Sequence, residues 1–158
     1  MSDSATLPVL VDFYREKLDA LLAHQAGARV VSQYDANNTY QYIINREDTQ
    51  LGWLAAAIAD LGGTVPDGGS EPPRQGPASE VFRQDLADAD AFVSRWRPRV
   101  DAMTHARHGR LLGLILGETL EQRRFFEQAL AGRTDLLGVR TDKAGERVGH
   151  VLSTRWIE

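Results

Sequence analysis

Two glutamates stand where the hydrophobic spacing of this chain calls for core residues. At about 100° per residue, Glu47 falls within the apolar stripe formed by Tyr40, Ile44, Leu51, Leu54 and Ile58, and Glu118 falls in line with Leu111, Leu114 and Phe125. Each is followed three residues later by another polar side chain, Gln50 after Glu47 and Glu121 after Glu118. A carboxylate in a dry interior costs several kcal/mol unless it is protonated, paired or bound to a metal. The spacing therefore admits two kinds of chemistry. Carboxylates projecting from facing helices can hold a hard divalent cation, or they can be neutralised by protein partners. For the second, the candidates are Tyr40 donating to Glu47, Lys17 or Arg124 pairing with Glu118, and Gln50 completing the hydrogen bonds.

The elements that position these residues are four helices. Leu7, Leu10, Val11, Tyr14, Leu18, Leu21 and Leu22 recur at three and four and predict a first helix from about Leu7, with Pro8 in its first turn. Its end lies between His24 and Tyr34, with Gly27 as the strongest breaker. The second helix carries Tyr40 to Leu61 and stops at Gly62. The third runs from Ser79, as N-cap, through Phe82, Leu86, Trp96 and Met103, with Pro98 opposite its stripe. The fourth spans about His108 to Leu130. Its apolar residues wrap more than half the circumference, and Gly113 and Gly117 on it read as a site of close helix approach.

Between residues 62 and 77, nine of sixteen positions are Gly or Pro (GGTVPDGGSEPPRQGP). Such a stretch cannot be helix. It divides the helices into two hairpins joined by a crossover at about 62–78. The expected organisation is an all-α four-helix bundle over residues 1–132 and a non-helical extension over 133–158, where the DKAG turn allows a short hairpin. Trp156 and Ile157, near the end of that extension, suit docking against the bundle or a partner.

Composition narrows the function. The chain has 158 residues, no cysteine and a net charge of -4 from 18 basic and 22 acidic residues. It lacks the basic footprint that nucleic-acid binding requires and any thiolate chemistry. No apolar run approaches the length of a membrane span, and the start MSDSATLPVL has no basic n-region. A cytoplasmic protein is expected, and the two-sided fourth helix favours a homodimer or a protein partner.

The segment NREDTQLGWLAAAIADLGGTVP resembles the second helix of ferritin-like proteins of the rubrerythrin and bacterioferritin kind, and ILGETLEQRRFFEQAL is similar to their last helix. The resemblance covers about residues 7–131. It implies a ferritin-like bundle with a di-metal carboxylate site, in which Glu47 and Glu118 hold the bridging positions and Gln50 and Glu121 stand where that family has histidine. Such a site takes four carboxylates and two imidazoles. Glu16 projects away from the apolar stripe, Lys17 and His24 lie near its edge, and Asp85 is the inward-leaning acid of the third helix. The resemblance thus implies a degenerate site, with iron or another divalent metal as the candidate cofactor and with self-association or docking as the main activity. Two alternatives are a carboxylate-rich oxidoreductase or iron-handling protein, and an accessory subunit of a larger assembly.

Overall fold

The apolar spacing of the first segment continues past Gly27 without a break, and so does the helix. In the structure, a computed structural model describing residues 3–133, 136 and 137, α1 spans Asp3–Val30, α2 Tyr34–Asp60, α3 Ala78–Asp101 and α4 Ala106–Leu130. The chain is all-α, with no strand among the described residues. Gly27 is a packing residue, not a breaker. A Cβ there would lie 3.1 Å from Tyr40 and from Val81 and 3.3 Å from the Asp85 carboxylate, so its missing side chain lets α1 approach α2 and α3. α1 begins earlier than the spacing predicts, which places Pro8 in its second turn.

The turn between α1 and α2 is closed by two side chains. Gln33 is the N-cap of α2 and accepts from the Ala36 N–H at 2.7 Å, while the Asn37 amide donates to the carbonyls of Ala28 and Val31. At the other end of α2, Gly62 takes φ 82°, a left-handed conformation that glycine adopts without strain, and its N–H bonds to the Ala59 carbonyl. Pro77, not Ser79, is the N-cap residue of α3.

The connection over 62–77 passes along α1. Gly63 lies over Leu7, Gly68 over Leu18 and Gly69 over Asp19 and Leu22, and Arg29 pairs with Glu71. It therefore delivers α3 to the end of the molecule where α1 finishes. The side-chain pairs agree: Arg95 with Glu16 and Arg99 with Asp12 make α1 and α3 antiparallel, and Arg46 with Glu118 and Arg107 with Asp60 do the same for α2 and α4. No helix among the described residues is long and apolar enough to cross a membrane.

Two apolar clusters form the core. One gathers Leu10, Phe13, Leu54, Ile58, Trp96, Leu112 and Ile115; the other gathers Val31, Tyr40, Ile43, Val81, Phe82, Phe125, Phe126 and Leu136. Between their buried members the gap falls at residues 44–50 on α2, where Ile44 packs at the edge of the first cluster, and at 117–124 on α4. That gap holds the polar interior. The buried face of α1 is centred on Leu10, Phe13, Lys17 and His24, rotated from the leucine stripe, because Leu18 and Leu22 are covered by the 62–77 connection instead. On α4 the buried face is Leu112, Ile115, Thr119, Gln122 and Phe126. Leu114 and Leu120 point outward, and a Cβ at Gly113 or Gly117 would meet nothing within 4 Å, so neither glycine serves a close approach within the bundle.

Candidate functional site

Glu47 sits at mid-height on α2 with no exposure to solvent. Both of its oxygens are taken by cations or potential cations from α1. Lys17 Nζ donates to Oε2 at 3.1 Å, and His24 Nδ1 bonds to Oε1 at 2.7 Å. Lys17 and His24 lie seven residues apart, two turns along one helix face, so a single carboxylate on the facing helix reaches both. The Lys17 ammonium also lies 5.4 Å from the centre of the Phe92 ring, and the His24 imidazole is flanked by Tyr40 and Phe126.

The protonation states follow from this geometry. Burial opposes the charge on His24, but the Glu47 carboxylate beside it, helped by Asp85, outweighs burial and lifts its pKa above the ordinary 6.5. Burial likewise opposes ionisation of Glu47, and His24 and Lys17 together overcome it, leaving its pKa below the ordinary 4.5. The triad is two cations around one anion.

This arrangement fixes the pH dependence of stability. A depressed carboxylate contributes fully above its unfolded value, and the contribution is lost as pH falls through the folded value; a raised imidazole contributes fully below its unfolded value and loses the contribution as pH rises through the folded one. Both contributions are complete between pH 4.5 and 6.5. Urea unfolding is expected to show falling stability above that window, and His24→Leu is expected to flatten the alkaline limb. An alkaline limb of unchanged slope in the variant would show that His24 is not charged in the fold. The charged groups facing His24 are Lys17 on its own helix, Glu47 on α2 and Asp85 on α3.

A second cluster adjoins the first. Asp85, also fully buried, accepts from the Tyr40 hydroxyl and from Arg74 Nη2 at 3.0 Å, and Arg74 reaches Asp88 at 2.8 Å. Burial first, and then the Asp85 carboxylate, push the Tyr40 hydroxyl far above its ordinary range. Arg74 belongs to the 62–77 connection, so this cluster ties that segment to α3 and α2.

The other residues singled out by spacing lie elsewhere. Glu118 is on the flank of α4 facing α2, a quarter exposed, where it accepts from Arg46 Nε at 3.1 Å, Arg46 Nη2 at 2.8 Å and Gln50 Nε2 at 2.7 Å. Gln50 is fully buried, and its Oε1 has no hydrogen-bond partner among the described residues. Glu121 and Arg124 pair with each other on the surface. Tyr40 serves Asp85 rather than Glu47, and Lys17 serves Glu47 rather than Glu118. Glu16 is only partly exposed and accepts from Trp96 Nε1 and Arg95. His108 is buried and stacks on His105. Trp156, Ile157 and the hairpin allowed around DKAG lie outside the described residues.

The structure adds Thr119 and Gln122, which spacing on α4 had passed over in favour of Glu118 and Glu121. They recur with Leu112, Ile115 and Phe126 at alternating steps of three and four, a signal obscured by the leucines on the opposite face. Together with Lys17, His24 and Glu47 they line a cavity of about 40 Å³ that reaches Asp88, whose side chain is 65 % exposed. The side chains around it do not fit a di-metal centre. Against four carboxylates and two imidazoles, the cavity offers Glu47, the exposed Asp88 and one imidazole, and an ammonium already stands on Glu47. Among the described residues no three or more His, Cys, Asp or Glu side chains are grouped to hold a metal ion. Compared with family models, curated proteins and solved structures, the chain gives no match.

Proposed function

We propose that the chain is a ferritin-like bundle in which protein cations have replaced the metal pair, and that it acts by associating with a second copy of itself through the outer face of α4. The observation that carries the first part is the engagement of both Glu47 oxygens by Lys17 and His24 at 3.1 and 2.7 Å. An ammonium supplies in place the charge that a divalent cation would bring, and it repels one. The ferritin-like reading draws on the two helical hairpins, the long Gly/Pro connection along α1 and the polar layer between two apolar clusters.

The association reading draws on α4. Leu114 and Leu120 are 52 % and 37 % exposed, beside two glycines with open space above them. An antiparallel pairing of two α4 helices centred between Leu114 and Gly117 sets Leu114 of each copy against Gly117 of the other. The same register sets Arg110 against Glu121, opposite charges at both ends of the contact.

Protein from iron-supplemented cells, purified without chelators, is expected to contain well under one metal per chain by elemental analysis; two irons per chain would overturn the metal-free reading. Light scattering after size exclusion is expected to give a dimer, and Leu114→Glu a monomer with unchanged helical signal. A monomeric wild type, or a dimer that survives Leu114→Glu, would reject this face.

A further inference from the structure

We propose that the cavity between Lys17, His24, Thr119 and Gln122 binds the carboxamide group of an uncharged ligand, whose remaining part lies toward the mouth at Asp88. The cavity measures about 40 Å³, against the roughly 10–15 Å³ that a single water needs. Asp88 lines it with a side chain that is 65 % exposed, so its outer end meets solvent.

Charge selects the class of ligand. The lining carries two cations, Lys17 and His24, and two carboxylates, Glu47 and Asp88. Lys17 and His24 stand on Glu47, and Asp88 is paired with Arg74. The neighbouring Arg74 and Asp85 add one charge of each sign. An ion of either sign would unbalance this interior and give up its hydration on entering. An uncharged ligand does neither.

Hydrogen bonding narrows the class to an amide. The Gln122 side chain lines the cavity, is 4 % exposed and makes no hydrogen bond among the described residues. It therefore holds an unused N–H donor beside an unused carbonyl acceptor. A carboxamide answers with the same two functions in one plane. Further partners remain for each of them. Lys17 uses one of its three ammonium protons on Glu47, and the Nε2–H of protonated His24 has no partner among the described residues. Both can donate to the ligand's oxygen. Thr119 gives its proton to the Ile115 carbonyl, which leaves its hydroxyl oxygen to accept from the ligand's N–H.

The rest of the wall is apolar, with Ala20, Ala23, Ala89 and Phe92 beside these groups. Water leaves such a surface unmatched, whereas the planar face and alkyl substituent of an amide cover it.

The inference goes beyond the α4 contact and takes from the earlier reading only that Lys17 and His24, and no metal, stand on Glu47. Elemental analysis tests that reading. A metal-free protein indifferent to amides would sink this proposal alone.

Propionamide is the probe, with propionate and propylammonium as its anionic and cationic isosteres. At pH 6, where His24 is protonated, propionamide is expected to give saturable shifts in heteronuclear NMR spectra, grouped around Lys17, His24, Thr119 and Gln122. The two ions, at equal concentration and ionic strength, are expected to give none there. Gln122→Leu removes the amide and leaves the triad in place. It is expected to weaken propionamide binding about tenfold, the loss of a pair of hydrogen bonds, with unchanged helical circular dichroism. Wild-type crystals soaked in propionamide are expected to show its amide against Gln122. Absence of saturable shifts, equal binding of either ion, undiminished binding by Gln122→Leu, or a cavity that diffraction shows filled by water alone would each overturn the proposal.

Discussion

Glu47→Leu is expected to destabilise the protein by about 3–5 kcal/mol, the cost of leaving a buried charge without its partner. Lys17 is 1 % exposed and Glu47 not at all, so the substitution strands an ammonium in the interior. His24 suffers less. Without Glu47 its pKa falls back under the effect of burial, and it becomes neutral. The double variant Lys17→Met/Glu47→Leu removes both charges and refills their volume. It is expected to recover most of the loss, and stability at or above wild type would fit the general behaviour of buried ion pairs replaced by apolar groups. Urea unfolding followed by far-UV circular dichroism measures all three, with the denaturant slope as a check on two-state behaviour. A loss below about 1 kcal/mol in the single variant would mean that solvent reaches the pair. Additive effects of the two substitutions would mean that the residues do not interact.

Asp85→Ala is expected to cost about 3 kcal/mol for a related reason, since it leaves the Tyr40 hydroxyl without its acceptor and Arg74 without its buried counter-ion. Two further readouts separate this from a simple packing defect. Removing the carboxylate takes away the second and third causes of the raised Tyr40 pKa, so the hydroxyl should titrate at lower pH in a spectrophotometric titration, although burial keeps it above its ordinary value. Arg74 would keep only the exposed Asp88. The 62–77 connection would then lose its anchor on α3, and trypsin should cleave after Arg74 faster than in wild type. An unchanged cleavage rate together with an unchanged tyrosine titration would show that Asp85 does not hold this cluster.

The two predictions concern residues of unequal visibility in the sequence. Glu47 and Gln50 belong to a helix with apolar residues on one face only, so the phase of that face is fixed, and both are buried. α4 is different. Leucines and phenylalanines surround more than half of it, and spacing alone gives several inward faces of similar apolar content. The reading centred on Leu111, Leu114, Glu118 and Phe125 differs by about one residue from the buried face at Leu112, Ile115, Thr119, Gln122 and Phe126. One step of 100° separates Glu118 on the flank from Thr119 inside. α1 shows the same limit, because the 62–77 connection covers its outer leucines and leaves Phe13, Lys17 and His24 to face the interior.

The sequence by itself determined that four helices form, that a Gly/Pro stretch separates them two and two, and that an acid on the second must lie among apolar neighbours. These are local matters, set by hydrogen bonding within one segment and by the period of its side chains. Which cations meet that acid was decided only by the tertiary structure. Lys17 and Glu47 are 30 residues apart and His24 and Glu47 are 23 apart, and Arg74 reaches Asp85 from a segment with no period to read. Such pairings depend on how the rods are rotated about their own axes, and that rotation is settled by the combined burial of all four at once.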